Sequence, residues 1–328
     1  MKKIKVIQIG IGHAHATGIL DDMLNQPEIF DVMGLALPDD EKEKYIYKFE
    51  KYKNLRIMSV DEALNRKDID AVTVEVYETN LTQYALMAIE HGFDVHMDKP
   101  GGINVNSFKK LTQTAKEKNK ILHLGYMYRY NTEIQSLFEK ADNGELGEIY
   151  SVETQMSGYN DADMRQWLGE FPGGMMFFLG CHLVDLIYRI QGKPDEIIPL
   201  SMSTGIDGVT AKDYGMAVFK YRNGISFAKT CASEHGGFIR RQIVVCGSKG
   251  TVEIKPTETF NEEGKIFTDS IMYCSDGGGE IKHRSEPVGR YSLMMQGFAA
   301  MVRGEKENPY SYEYESELYE ILMKACGK

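Results

Sequence analysis

The chain has little of what would place it outside the cell or within a membrane. Its five cysteines, Cys181, Cys231, Cys246, Cys274 and Cys326, are odd in number, widely spaced and free of any C-x-x-C pattern. That excludes a disulfide framework and a zinc knuckle, and suits a reducing, cytoplasmic setting. No apolar stretch approaches the ~18 uninterrupted residues that a bilayer requires, and Lys5 and Gln8 break the N-terminal apolar run too early for a secretion signal. Basic charge is also scarce. Against 48 Asp and Glu there are 38 Lys and Arg, a formal charge of -10, whereas nucleic acid and anionic membrane both need a basic footprint. No repeat or low-complexity tract is present. What remains is a globular composition, 42% hydrophobic and 26% charged, over 328 residues, a length that suits two domains.

The first part of the chain alternates apolar runs with helical periods. Ile4 to Ile9 reads as a strand, Gly10-Ile11-Gly12 as a turn and the residues up to Leu24 as a helix. Further strands are expected at Phe30 to Leu37, Leu55 to Met58, Ile69 to Val76, Asp94 to Met97 and Ile121 to Leu124. Nearly all-apolar strands separated by helices mean a parallel sheet covered on both faces. Residues 1–123 are therefore expected to form a doubly wound α/β domain of Rossmann type. From 124 to 328 the pattern changes. Glu148 to Met156 alternates, and Met216 to Tyr221 and Ile225 to Lys229 flank Asn223-Gly224, a hairpin signal. Gln242 to Cys246, Gly250 to Ile254 and Ile271 to Cys274 add strands, with helices near Leu179 to Ile190, Ser292 to Arg303 and Glu313 to Ala325. Such an order predicts an α+β domain on a largely antiparallel open sheet.

Several stretches carry chemistry. Gly10-x-Gly12 after the first strand is a turn whose bare backbone lets a pyrophosphate approach N–H groups, with His15 standing where a third glycine is usual. Leu37 occupies the end of the second strand, where an acid would bind ribose hydroxyls. Asp39 and Asp40 follow it, and their charge would repel a 2′-phosphate, which favours NAD while leaving NADP open. The strand ending at Met97 runs into Asp98-Lys99-Pro100. Proline cannot donate to a ladder, so Lys99 is expected at the carboxyl edge of the sheet, where open α/β folds bind ligands. Gly173-Gly174 leads into a helix on which His182, Asp185 and Arg189 share one face. His13-Ala14-His15 has a rival meaning, because H-x-H after a first strand opens the metal site of many TIM-barrel hydrolases. The chain shows neither eight βα units nor the further ligands, so no metal is expected. Glu75, His96 and His123 sit in apolar strands, and a hydrogen bond between Glu75 and His96 is expected, with His123 next in line.

Taken together these residues resemble the Gfo/Idh/MocA family of nicotinamide-dependent oxidoreductases over the whole chain. Asp98-Lys99-Pro100 is similar to the family's Glu-Lys-Pro, Gly10 to His15 to its first-strand turn, and Gly173 to Asp185 to its glycine-rich segment and Gly-x-His-x-x-Asp helix. Gly125 to Asn131 resembles the crossover into its substrate domain. The resemblance implies a Rossmann domain, a C-terminal open-sheet domain used for homo-oligomer contacts (a dimer or tetramer), and a sugar, polyol or related small molecule as substrate. It implies catalytic roles for Lys99 and His182, with Asp185 as an orienting group. Cofactor would lie against Gly10, Ile11, Gly12, His13, His15, Leu37, Val76, Asp98 and Lys99, and substrate against Lys99, Tyr126, Arg129, Trp167 and His182. The chain departs from the family at Phe178, where many members carry Asp, at Leu37, and at Val76-Tyr77 in place of Thr-Pro. The resulting reading is an NAD(P)-dependent dehydrogenase or reductase. Phe178 and Leu37 keep open a non-catalytic nucleotide- or sugar-binding member, a sensor or subunit, and a metal hydrolase stands third.

Overall fold

Six apolar runs in the first part of the chain pair as parallel strands. They are β1 (Ile4–Ile9), β2 (Phe30–Ala36), β3 (Ile57–Met58), β4 (Ala71–Val74), β5 (Asp94–Met97) and β6 (Leu122–Leu124), in the order β3-β2-β1-β4-β5-β6. The computed structural model describes residues 2–274 and 279–328, without the side chains of Ile46 and Phe49. Val6, Ile7, Ile9, Val72, Val74, Val95 and Met97 are completely buried, as strands covered on both faces require. The strand order reverses between β1 and β4, and in such sheets ligands bind beyond the carboxyl ends at that reversal. Helices Ala16–Leu24, Leu81–Glu90 and Val105–Glu117 connect the strands. Ser59 caps the helix Val60–Leu64 by accepting the Glu62 N–H at 3.1 Å. Strand β4 is shorter than its apolar run, so Glu75 and Val76 lie just past its end.

The chain divides into two units, Met1–Met127 with Tyr291–Tyr319, and Tyr128–Arg290 with Glu320–Lys328. This differs from a simple division after residue 123. Helix Ser292–Val302 returns to the first unit, where Ser292 donates to Asp22 at 2.6 Å and Gln296 to Gln26 at 2.8 Å. The Phe298 ring of that helix stacks on His123 with centroids 5.3 Å apart. A helix's apolar face records that it is covered, not which sheet covers it, so its sequence could not assign it.

The second unit is built on β7 (Ile149–Gln155), β8 (Glu196–Pro199), β9 (Tyr214–Tyr221), β10 (Gly224–Cys231), β11 (Gln242–Gly247), β12 (Gly250–Ile254), β13 (Thr259–Phe260), β14 (Ile266–Phe267), β15 (Asp269–Cys274) and β16 (Glu280–Arg284). Eight of them form one sheet in the order β16-β15-β12-β11-β7-β10-β9-β8, antiparallel except where β10 meets β7. The β9–β10 turn consists of Arg222 and Asn223, one residue earlier than the Asn-Gly pair suggests, because Gly224 already pairs with Tyr221. Gly224 serves close packing instead, since a Cβ there would lie 2.2 Å from the Tyr150 carbonyl oxygen. Helix Cys181–Gln191 packs on β7 and β10. Val218, Phe227, Glu153 and Val244 lie side by side in register and are half-buried. Among the described residues no helix is long and apolar enough to cross a membrane.

Candidate functional site

In the first unit the glycine turn lies where β1 and β4 diverge. Gly10 has φ +85, and a Cβ there would sit 2.5 Å from Val76 Cγ1, so only glycine suits the position. The Ile11 and Gly12 N–H groups donate to Glu41 Oε2 at 2.7 and 3.0 Å, and the Tyr77 N–H donates to Glu41 Oε1 at 2.6 Å. Three backbone donors thus converge on one anion, the arrangement by which such turns cradle phosphate. Sequence reasoning missed Glu41. Asp39 and Asp40 are exposed, whereas Glu41 turns inward and is buried. Burial raises its pKa, against the pull of the three backbone donors. Leu37 is buried and donates its N–H to Met58 at 3.1 Å. The donors and the bare glycines fit a dinucleotide's phosphates.

Past β5, Asp98 and Lys99 are both buried, and the Lys99 N–H donates to Asp98 Oδ1 at 2.7 Å. Asp98 Oδ2 lies 3.2 Å from His13 Nδ1 and 3.1 Å from His15 Nδ1. Burial pushes the His15 pKa down to about 4, with the Asp98 charge opposing. Burial also works against an ionised Asp98, but the two histidines outweigh it and hold the pKa well below the usual range. Glu75 is driven the other way, by burial and then by the charge on Asp98. The expected Glu75–His96 hydrogen bond is not made, since the closest approach is 3.6 Å. The hydrogen bond in this row joins His96 Nδ1 to His123 Nδ1 at 2.7 Å. Thr73, not Glu75, is in register with His96, and Glu75 reaches past the sheet edge. Tyr126 is buried in this unit.

In the second unit His182 is buried near the start of helix Cys181–Gln191, its ring edge-on to Tyr128 with centroids 4.9 Å apart. The Tyr128 hydroxyl donates to Glu258 at 2.6 Å and accepts from Arg241 at 3.1 Å, while Arg290 Nε donates to Glu258 at 2.8 Å. Burial opposes ionisation of Glu258, yet the two guanidinium groups push its pKa down to about 2. Sequence spacing could not reveal this network, because its members run from position 128 to 290. Asp185 and Arg129 engage each other: Arg129 Nε and Nη2 donate to Asp185 Oδ1 at 3.0 and 2.7 Å, with both side chains buried. The structure thus sets the expected orienting acid and the expected substrate-binding arginine in one bidentate ion pair. Arg189, on the same helix, pairs with Asp142 at 2.6 Å. Phe178 joins an aromatic cluster, its ring 5.2 Å from Trp167 and 6.2 Å from Phe171.

Sequence models distinguish the same two parts. The model of the oxidoreductase family with an NAD-binding Rossmann fold matches residues 4–126, and that of the GFO/IDH/MocA C-terminal domain matches residues 134–253. The chain belongs to the Gfo/Idh/MocA family. Within that family it is 29% identical to the oxidoreductase YhhX of Escherichia coli (strain K12) over 139 residues, 42% of this chain and 40% of that protein. The match therefore spans about two fifths of that relative's length. It is 22% identical over 219 residues to the 1,5-anhydro-D-fructose reductase of Ensifer adhaerens, covering 62% of this chain and 66% of the reductase. In fold it resembles the aldose-aldose oxidoreductase from Caulobacter crescentus complexed with glycerol, with a TM-score of 0.80, 16% identity and coverage of 99% and 98% of the two chains. This Gfo/Idh/MocA member is an oxidoreductase with an NAD-binding Rossmann fold.

Proposed function

We propose that the protein moves a hydride between a nicotinamide, NAD in preference to NADP, and a hydroxyl- or carbonyl-bearing carbon of a sugar, polyol or related small molecule. The observation that carries this reading is the convergence of the Ile11, Gly12 and Tyr77 N–H groups on a single anion beside a buried Asp98-Lys99 pair. When bound, the nicotinamide supplies the hydride chemistry. Gly10, Ile11, Gly12 and Tyr77 would hold its phosphates. Lys99 orients and polarises the reacting oxygen, and His182 exchanges that oxygen's proton. Tyr128, fixed by Glu258 and Arg241, holds the imidazole plane, and the Arg129–Asp185 pair positions the histidine's helix rather than the substrate. The named activities of the relatives in Ensifer adhaerens and Caulobacter crescentus support a sugar-like substrate. The protein would work as a homo-oligomer in the cytoplasm.

Phe178 favours a second reading, a non-catalytic binding member, because a phenyl ring offers the imidazole no proton acceptor. Fluorescence titration with NADH and turnover on a panel of sugars and polyols separate the two. Binding with turnover is expected. Binding without turnover on any panel member would favour the sensor, and no binding would remove both.

A further inference from the structure

The buried cluster beyond β1 and β5 holds more acceptors than donors. Asp98 Oδ1 takes the Lys99 N–H at 2.7 Å, which leaves Oδ2 facing His13 Nδ1 and His15 Nδ1. The His13 tautomer follows from its neighbours. Nδ1 accepts the His15 N–H at 3.1 Å, and Nε2 lies 3.1 Å from the Lys99 carbonyl oxygen, to which it must donate. A nitrogen lone pair and a carboxylate oxygen thus confront each other at 3.2 Å. Glu75 adds a further carboxyl group. It is completely buried, neither carboxylate oxygen has a hydrogen-bond partner among the described residues, and Oε2 lies 3.7 Å from His13 Nδ1. Glu78, also buried, approaches His13 Nε2 at 3.9 Å, and its Oε2 has no hydrogen-bond partner either.

We infer that His13, His15 and Asp98 form a binding site for a divalent first-row transition-metal ion, with Glu75 available as a further ligand. The three ligand atoms lie within 4.8 Å of one another. Ligands about 2.0–2.1 Å from a tetrahedral zinc stand about 3.3 Å apart, and the two nitrogen–oxygen separations here are 3.2 and 3.1 Å. Two imidazoles with carboxylate oxygen suit zinc, iron(II) or manganese rather than calcium or magnesium. The Lys99 carbonyl would orient the His13 ring, as partners behind metal-bound histidines do. An ion would take the Nδ1 lone pair that the His15 amide now shares. Three protein ligands leave a position open for water or a substrate oxygen. His15 is 17% exposed in its side chain, which gives the ion a way in. The H-x-H pair is visible in the sequence, but its carboxylate is 83 positions further on.

The site shares residues with the proposed dinucleotide site, and it is tested without nucleotide, so that its failure is distinct from failure of that reading. The full chain, stripped with a chelator, is titrated with Zn²⁺ by calorimetry and with Co²⁺ by absorption. One ion per chain is expected, with the visible bands of a tetrahedral Co²⁺ centre. His15→Ala and Asp98→Asn should each weaken binding by ~100-fold, while His91→Ala, an exposed histidine elsewhere, should bind as wild type. X-ray absorption on zinc-loaded wild type, which needs no variant, should read imidazole and oxygen ligands. Failure of wild type to bind at stoichiometric metal, unchanged binding in both variants, or sulfur ligands would overturn the site.

Discussion

The Glu41 carboxylate accepts the Ile11 and Gly12 N–H groups at 2.7 and 3.0 Å, so the glycine turn already holds an anion of the protein's own. A dinucleotide phosphate seeking the same donors must displace it. Glu41→Ala should therefore bind NADH more tightly, by about tenfold, equivalent to ~1.4 kcal/mol. In the absence of nucleotide the same variant should be less stable by about 1–3 kcal/mol, because backbone donors lose their partner. Fluorescence titration and thermal melts read the two effects. Weaker NADH binding would mean that Glu41 contacts the nucleotide.

Cofactor choice follows from the same loop. Asp39 and Asp40 are exposed just after Leu37, and Lys44 Nζ lies 4.4 Å over the Tyr77 ring. NADH should bind more tightly than NADPH, because the acids repel a 2′-phosphate. Parallel titrations check this, and the reverse order would point to Lys42 or Lys44 as a phosphate partner.

The catalytic roles proposed for Lys99 and His182 make a joint prediction. Lys99→Ala should lower kcat far more than it weakens cofactor binding, since its interaction grows as charge develops on the oxygen. His182→Ala should lose about a hundred- to ten-thousand-fold in kcat. Phe178→Asp should shift the pH profile of the reaction, because a carboxylate beside the imidazole raises its proton affinity. Steady-state kinetics on a substrate that turns over reads all three, and alanine variants with wild-type kcat would remove the roles.

Glu258 should be visible in the acid limb of stability. Its pKa is about 2 in the fold against an ordinary 4.5. A depressed carboxyl contributes stability that is complete above the ordinary value and lost as pH falls from there toward 2, at up to about 1.4 kcal/mol per unit. Glu258→Gln should cost several kcal/mol at neutral pH, because it leaves the buried Arg241 and the half-buried Arg290 guanidinium groups uncompensated. The gap to wild type should narrow on acidification. Denaturant unfolding at about pH 6 and about pH 3 measures it, and a constant gap would mean that Glu258 is not ionised in the fold.

If the protein is the homo-oligomer proposed above, the half-buried row Val218, Phe227, Glu153 and Val244 is the face on which copies would meet. Light scattering should give a mass of two or four chains, and Val218→Asp should return the mass of one. A monomeric wild type would sink this idea.

Much of this was legible in the sequence, for reasons that differ by residue. The six parallel strands declare themselves because each is apolar on both faces, and Gly10 because its backbone tolerates no side chain. Lys99 could be located from Pro100 alone. Glu41 could not, since three acids in one helical turn look alike until the loop from Gly10 and the residue after Val76 close over one of them. The Arg129–Asp185 pair and the Tyr128–Glu258 network join distant segments, and no local period encodes such partners. Glu75 misled for a smaller reason: β4 ends one residue before it, and that moves its carboxylate out of the His96 row.

The return of helix Ser292–Val302 to the first unit has a consequence for how the protein is made. Phe298 covers His96 and His123, with ring centroids 5.7 and 5.3 Å away, yet it is synthesised only after all of residues 128–290. The nucleotide-binding half therefore emerges from the ribosome early but stays unfinished, with that flank of its sheet uncovered. Closing so long a loop is entropically slow, and exposed apolar surface in the interval invites capture by chaperones. A fragment ending at Met127 would keep that exposed flank permanently and should aggregate, while the same fragment given residues 291–319 through a short linker should stay in solution.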